Sequence, residues 1–416
     1  MKMLKVLVLP VMIVVACAAL AMAQNVPLTL KDCYRLALAR SESIGIQKEL
    51  IKETEGLMLQ SLSTALPKVA FAYSEKWQDL RPNNTFGGYQ PEAKFTFSQP
   101  LFTGFREFAA VRASKHIGKQ RAAEFKRAEQ LLLTDVSDAF YLYSSYQEDL
   151  KVQEDIQKIL ADRVTELKKR EALGKSRSSE VASAEANLLR TEAGIDSSRG
   201  QMEVAGQLLE FLIGQPVDQL VSEPLPQGTE DLPSLVRKAD DRPDVMAARE
   251  SLASYKNNIT VARSSFLPSV ALTGNSYAKR SDTNEGNNWD ATLSVNVPLF
   301  NGLSDVGQVR QARAQANEAD LKLSQALRMA ALDIRNAFTK LEAARKNFEA
   351  LSKAVVASDR NYKLQAEDFQ RDLVNNLDVL QALVDLQSVR RDNVAAATAV
   401  NRAYWALQVA TGENLK

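Results

Sequence analysis

One histidine, His116, and two cysteines, Cys17 and Cys33, are the only imidazole and thiol groups in this chain of 416 residues. Zinc, copper or iron sites need several such side chains at short, regular spacing, and no Cys/His cluster occurs. Phosphate chemistry needs a glycine-rich turn opening a helix, and acyl transfer needs a nucleophile elbow; the sequence has neither. His116 falls inside a long helical pattern, where a solvated or inter-helix residue is expected rather than a ligand. Lys168-Lys169-Arg170 reads as a solvated helix face, and Tyr141, Tyr143 and Tyr146 read as helix packing. What remains is the chemistry of fixed charge and shape. No enzymatic activity, cofactor or metal is expected. The formal net charge of +1, with 25% charged residues, argues against nucleic acid as a partner.

The elements that would position fixed charges are set out twice. Residues 98–214 match 296–412 without a gap at an offset of 198. Gln-Pro-Leu-Phe-Thr-Gly (99–104) falls on Val-Pro-Leu-Phe-Asn-Gly (297–302), and Asp135, Ala139 and Phe140 fall on Asp333, Ala337 and Phe338. Upstream, Leu66-Pro67 matches Leu267-Pro268 at an offset of 201, so the Pro-to-Pro interval shrinks from 33 to 30 residues. A helix cannot absorb three residues without rotating its apolar face, so the change belongs to a loop or hairpin. The repeat therefore argues for one body made of two similar halves.

The first residues read as a targeting signal. Lys2 and Lys5 precede an apolar stretch over 6–23, and Ala21-Met22-Ala23 before Gln24 fits a small-x-small cleavage site. Cleavage there removes Lys2 and Lys5 and leaves a formal charge of −1. A second option is lipidation at Cys17, within the lipobox-like Val14-Val15-Ala16-Cys17. Cys33 would then be the one thiol left in an exported chain, and its spacing with Leu36 and Ala37 marks it as buried and inert.

Along the mature chain, Thr29 and Asp32 form a capping box for a short helix, and a second helical run covers 42–65 before Pro67. Its counterpart runs from Pro243 to Phe266. The period then changes to two. Val69, Phe71, Tyr73 and Trp77 alternate with small or polar residues, as do Ala93, Phe95 and Phe97, and later Trp289, Ala291, Leu293, Val295 and Val297. The stretch 269–279 alternates less cleanly. Each half thus offers a hairpin with strands of about 9–11 residues, the length of a tilted membrane-crossing strand. After each Pro-Leu-Phe-x-Gly the helical period returns over roughly 104–171 and 302–370, each about 100 Å of helix. Return helices follow the breaks at Leu173-Gly174-Lys175-Ser176 and Arg371-Asp372-Leu373-Val374-Asn375-Asn376. Residues 214–233, with four prolines, read as an irregular linker round the outside of the body.

Four amphipathic strands cannot close on themselves, and hydrocarbon does not tolerate an open sheet edge. Sister chains must complete the cylinder. Two chains would supply about eight strands, a bore filled by side chains; three would supply about twelve and a wet interior. The object is then a pore.

The pattern resembles the TolC-type outer-membrane efflux family. The carriers are Leu-Thr-Leu-Lys-Asp-Cys-Tyr-Arg-Leu-Ala-Leu-Ala (28–39), the paired Leu-Pro-x-Val (66–69 and 267–270), and the paired Pro-Leu-Phe-x-Gly (100–104 and 298–302). Leu-Asp-Val-Leu-Gln-Ala (377–382) and the closing Ala-Thr-Gly (410–412) extend the likeness over essentially all of 28–412. The resemblance implies a mixed α+β membrane protein, mostly α. It would be a tandem-duplicated protomer of long coiled helices plus two β-hairpins. Its homotrimer would form a 12-stranded β-barrel in outer-membrane lipid, continuous with a periplasmic α-helical barrel. The expected segments are a signal peptide (1–23), N-terminal helices (24–66), hairpin 1 (67–100), helical hairpin 1 (101–213), the linker (214–233), helices of repeat 2 (234–267), hairpin 2 (268–298), helical hairpin 2 (299–412) and a tail (413–416).

The resemblance also implies a function. The chain would be the passive exit duct of a tripartite efflux pump or type I secretion system. A periplasmic adaptor (membrane fusion protein) and an inner-membrane efflux or ABC transporter would open it at its periplasmic tip. In that family acidic residues ring the tip constriction. Asp378 takes the ring position, Gln381 stands where a second acid is common, and Glu180 is the repeat-equivalent acid. Simple N-terminal capping of the helix is the competing account of Asp378, second to the ring position, and the two can coexist. The adaptor-docking turns would be Leu173, Gly174 and Lys175, and Asp372 and Leu373, with Asp372 departing from the family's glycine. The competing reading is a periplasmic coiled-coil scaffold or adaptor without a pore, which would carry one helical hairpin flanked by β-rich domains.

Overall fold

Helix α1 (Leu30–Arg40) begins at a capping box: the Asp32 amide donates to Thr29 Oγ1 at 3.2 Å while Asp32 Oδ2 accepts from the Thr29 amide at 3.4 Å. Its buried face, Leu30, Cys33, Tyr34 and Ala37, gives the first core cluster its outer wall. A computed structural model of the chain describes residues 27–77, 89–217, 220–221, 224–226, 228, 231–280 and 288–415. The leader at 1–23, Cys17 and most of the loop after Trp77 lie outside the described residues.

The rest follows in duplicate. Helix α2 (Glu42–Ser63) leads to strands β1 (Lys68–Trp77) and β2 (Tyr89–Thr103), then to α3 (Arg106–Ala172) and the return helix α4 (Ser178–Ile213). After α5 (Leu232–Arg237), the second half runs through α6 (Pro243–Arg263), β3 (Ser269–Arg280), β4 (Trp289–Asn296), α7 (Ser304–Gln370) and α8 (Asn376–Ala410). Both α3 and α7 have 67 residues, so each is about 100 Å long. Alanine, leucine and long charged side chains sustain them without an internal proline.

The helices pack side by side as an open layer. Near the sheet, α3 and α6 are neighbours in the middle, with α2 beyond α3 and α7 beyond α6. Farther down, α4 lies beside α3, α8 beside both α3 and α7. Three apolar clusters hold this layer. One joins α1 to α3 and α4 through Leu133, Val136, Phe140 and Leu209. A second joins α5 and α6 to α7 and α8 through Leu235, Val245, Ile334 and Leu407. The third sits at the far end of the hairpins.

The sheet is antiparallel in the order β1-β2-β3-β4, so β1 and β4 are edges. Opposed residues share a face in such a ladder. Val69↔Phe97, Phe71↔Phe95, Leu272↔Leu293 and Val270↔Val295 therefore make one apolar face, and Ala70↔Thr96, Ala72↔Lys94, Asn275↔Asp290 and Thr273↔Thr292 make a polar one. Phe71 and Phe95 pack with ring centres 5.1 Å apart on the apolar face. Among the described residues no helix is long and apolar enough to cross a membrane. The large exposed apolar surface lies on the sheet instead.

Strand lengths differ from the even set that the sequence suggests. They are 10, 15, 12 and 8 residues. Strand β2 continues to Thr103 because β3 lies beside it, with Thr103 opposite Ser269. The same motif after β4 has no such neighbour, and Leu299 and Phe300 are 93% and 79% exposed. Glycine turns then aim the long helices. Gly104 and Phe105 both take left-handed backbone, at φ +67° and +65°, as do Gly302 and Leu303 at +59° and +67°. At Gly104 a Cβ would lie 2.9 Å from both Leu267 Cβ and the Ser264 carbonyl, whereas nothing lies within 4 Å at Gly302.

Arg242, 2% exposed, pins the second half at its waist. It donates to both Asp244 oxygens at 2.7 Å and to Asp333 at 3.0 Å. Burial works against the Asp244 carboxylate, but the guanidinium wins and holds its pKa below the ordinary value. That contribution is complete above the unfolded pKa, near pH 4, and disappears as pH falls through the lower folded value. Arg242→Ala should cost about 2 kcal/mol, because it strands two carboxylates that are only partly solvated. Thermal melts followed by circular dichroism should show the loss at pH 7 and a smaller one at pH 3; equal losses at both would contradict the ion-pair account.

Candidate channel constriction

The two helical hairpins end in turns of one design. Gly174 and Asp372, repeat-equivalent positions, both adopt left-handed backbone, at φ +68° and +58°. Glycine does this freely; aspartate is among the few other residues that tolerate it. The turns close alike, with the Lys175 amide donating to the Arg170 carbonyl at 2.8 Å and the Leu373 amide to the Asp368 carbonyl at 2.9 Å. Leu173 and Leu373 point outward, 73% and 69% exposed. Lys175 is exposed as well.

Just past the second turn, α8 opens with a reciprocal cap. The Asp378 amide donates to Asn375 Oδ1 at 3.1 Å, and Asp378 Oδ2 accepts from the Asn375 amide at 3.3 Å. Asp378 is still exposed, so capping leaves its charge facing water. Gln381, one turn on, donates to Asp385 Oδ1 at 2.8 Å. Asp378, Gln381 and Asp385 form one exposed polar stripe along α8, opposite the buried Val379, Leu383 and Leu386. Asp385, two turns beyond Asp378, is a further exposed acid on this stripe that the sequence reading did not single out. Glu180 occupies the matching place on α4. There the Ser176 hydroxyl, which bonds its carboxylate, and the Arg177 amide at 3.2 Å lower its pKa against a small opposing effect of burial.

Side chains from one hairpin clamp the other. The Phe369 ring lies between two guanidiniums, Arg163 at 3.8 Å and Arg170 at 4.5 Å from its centre. Arg170 also pairs with Asp372. Arg163, buried, donates to Asn376 Oδ1 at 3.0 Å and to Glu166 at 3.0 Å, and the Asn376 amide group reaches the Glu180 carbonyl at 3.4 Å. Beneath them Ile156, Leu160, Leu167 and Val181 from the first hairpin pack with Phe369, Val379 and Leu383 from the second. Farther up, Arg391 on α8 bonds Asp149 on α3 at 2.6 and 3.1 Å. The expectation that residues 168–170 form a solvated face fails at Arg170, whose stacking and ion pair draw it into the clamp. Lys168 stays at the surface, paired with Glu185 at 2.7 Å. His116, the lone histidine, bonds Glu250 at 2.6 Å between α3 and α6. Among the described residues no group of acids, histidines and cysteines is arranged to hold a metal.

The profile of a family described as "Outer membrane efflux protein" matches residues 34–215 and 235–413. Outer membrane efflux protein BepC of Brucella suis is 23% identical over 340 residues, covering 80% of this chain and 73% of its own. Protein CyaE of Bordetella pertussis is 25% identical over 330 residues, covering 76% and 70%. Among solved structures, CusC superposes with a TM-score of 0.82 at 17% identity over 92% of both chains. The outer membrane protein VceC of Vibrio cholerae superposes with a TM-score of 0.80 at 21% identity, over 93% of this chain and 97% of that one.

Because one ring serves both hairpins, Phe369→Ala should loosen both turns together. It removes a buried aromatic and two cation–π contacts, worth about 3 kcal/mol locally. Amide hydrogen exchange should accelerate over both 165–185 and 366–385 while the α1 region keeps its protection. Acceleration confined to the second hairpin would show that the turns are not coupled.

Proposed function

The chain belongs to the outer membrane efflux protein family, whose members act as outer-membrane channels reaching into the periplasm, and from that premise we propose that three copies form its working duct. One observation carries the reading: every layer of the chain has two unsatisfied flanks. The sheet ends at β1 and β4, the helix layer near it ends at α2 and α7, and the layer beyond ends at α4 and α7. On those flanks Leu59, Leu62, Val204 and Phe211 on one side, and Leu299, Phe300, Leu321 and Val356 on the other, are exposed. Unpaired strand edges are not sustainable in lipid, so another copy must follow β4.

The duplicated chain supplies the geometry of that junction. Within one chain Ser98 of β2 faces Thr273 of β3. Carrying the two repeat offsets forward sets Asn296 of β4 opposite Ala72 of the partner subunit. The Val297–Asn301 segment then pairs as 99–103 does, and the open space at Gly302 receives Leu66 of the partner subunit as Gly104 receives Leu267. Three chains give about twelve strands and a water-filled bore.

The duct does no covalent chemistry. Its helical end narrows at the clamped turns, where Asp378 and Asp385 from each copy give a focused negative field that favours cations. Opening requires the clamp of Phe369, Arg163, Arg170 and Asp372 to yield. The exposed Leu173, Gly174, Lys175, Asp372 and Leu373 are the surface on which a periplasmic adaptor acts, with an inner-membrane transporter supplying energy. The adaptor-like alternative has no comparable use for two long hairpins and two free sheet edges.

Cysteines at Ala72 and Asn296, in a Cys17→Ser/Cys33→Ala background, should give disulfide-linked trimers under mild oxidation with diamide. Ser74→Cys with Asn296→Cys, shifted by two residues, should link far less. Preferential linkage of the shifted pair would refute the register, and a purified monomer needing no detergent would refute the duct. In planar bilayers the channel should prefer cations, and Asp378→Asn should lower that preference; unchanged selectivity would remove Asp378 from the constriction.

A further inference from the structure

The polar face of the sheet carries a second set of charges at the end remote from the helices. Register and contacts agree on its members. Lys76 faces Gln90, Glu92 faces Arg280, and Lys94 faces Tyr277 on the same surface as Thr96, Asn275 and Asp290. A bulge between Ala93 and Lys94 sets this arrangement, because β3 has one more residue here than β2. Tyr277 reaches the polar face by plain alternation with Thr273 and Asn275, and the extra residue turns Arg280 to that same face and Lys279 to the apolar one. Arg280 lies 4.0 Å over the Tyr277 ring and Lys94 5.9 Å from its centre. Both carboxylates of the face are already engaged. Glu92 pairs with Lys94 at 2.8 Å, and Asp290 accepts from Tyr277 at 2.6 Å and from Asn275 at 2.8 Å.

Among the described strand residues the polar face therefore holds four cations, Lys68, Lys76, Lys94 and Arg280, against two acids, Glu92 and Asp290. Three of the four cations fall on consecutive polar-face rungs at the outer end. A closed cylinder repeats this excess in each copy. Low-dielectric walls concentrate the resulting field, and screening confines it to about 10 Å at about 0.1 M salt.

We propose that Lys76, Lys94 and Arg280 form a basic collar inside the outer end of the barrel, which favours anions and anionic cargo and opposes in sign the acidic stripe at the helical tip. The collar rests on the three-copy duct proposed above. It divides selection along one passage. The tip favours cationic groups on entry, and the collar favours anionic groups on exit. A cargo bearing both charges, such as a zwitterionic amphiphile, meets an attractive field at each end, whereas a compact cation meets resistance at the last step. Tyr277 gives the collar its rigidity, because its ring and hydroxyl fix Arg280 and Asp290 at once.

The test is reversal potential in planar bilayers under a KCl gradient centred on about 0.1 M, using full-length protein. Lys76→Gln/Arg280→Gln should raise the K⁺ over Cl⁻ permeability ratio about twofold. Arg280→Lys, which keeps the charge, should not, and Lys279→Gln, one residue away on the lipid face, should not. The shift should also appear in an Asp378→Asn background, where the tip field is weakened. A double variant that conducts with an unchanged ratio would overturn the collar while leaving the duct intact. An equal shift from Lys279→Gln would overturn the assignment of faces. Absence of any conductance even from Phe369→Ala protein, whose clamp is loosened, would overturn the duct and the collar together.

Discussion

A β-sheet edge without a hydrogen-bonding neighbour leaves amides and carbonyls unpaired, and among the described residues this sheet has two such edges. Most of its architecture answers that constraint. The sheet presents β1 and β4 as matching free edges, and the helices below continue the same open layer. The two halves also show what a neighbour does. Gln99–Thr103 is strand because β3 lies alongside, whereas the equivalent Val297–Asn301 is not. The sequences of the two segments are nearly the same, so the difference comes from pairing rather than from propensity.

At the other end the controlling interactions are charged, and capping does not bury the Asp378 carboxylate. Asp378 bonds the first turn of α8 through one oxygen and stays exposed to water. A carboxylate fixed by its own helix is better placed to project a field than a mobile one. The clamp beside it uses arginine where lysine would fail, because two planar guanidiniums can stack on one phenyl ring while still bonding Asn376, Glu166 and Asp372.

Much of this was readable in the residues. Strict register between the halves locates the long helices, and the alternation from Val69 to Trp77 gives the strand and its faces. What the sequence did not disclose depends on distant partners. Arg170 reads as solvated because nothing nearby in the chain reveals Phe369 or Asp372, about 200 positions on. The weak alternation over 269–277 comes from Gly274 and Ser276 on the apolar face and Ala271 and Tyr277 on the polar one, and the change of face at Lys279 and Arg280 depends on a bulge set by register with another strand. Asp385 was legible as the i,i+4 neighbour of Gln381 on one helix face, and a search confined to one turn beyond Asp378 passed over it.

The turns at Gly174 and Asp372 share a backbone shape but not a chemistry. Asp372 pairs with Arg170 of the sister hairpin, whereas Gly174 has no side chain with which to make such a tie. The two copies of the turn thus keep one backbone shape with different contacts. Substitution should therefore be tolerated asymmetrically, with position 174 constrained by its left-handed backbone alone and position 372 by its backbone and its ion pair together.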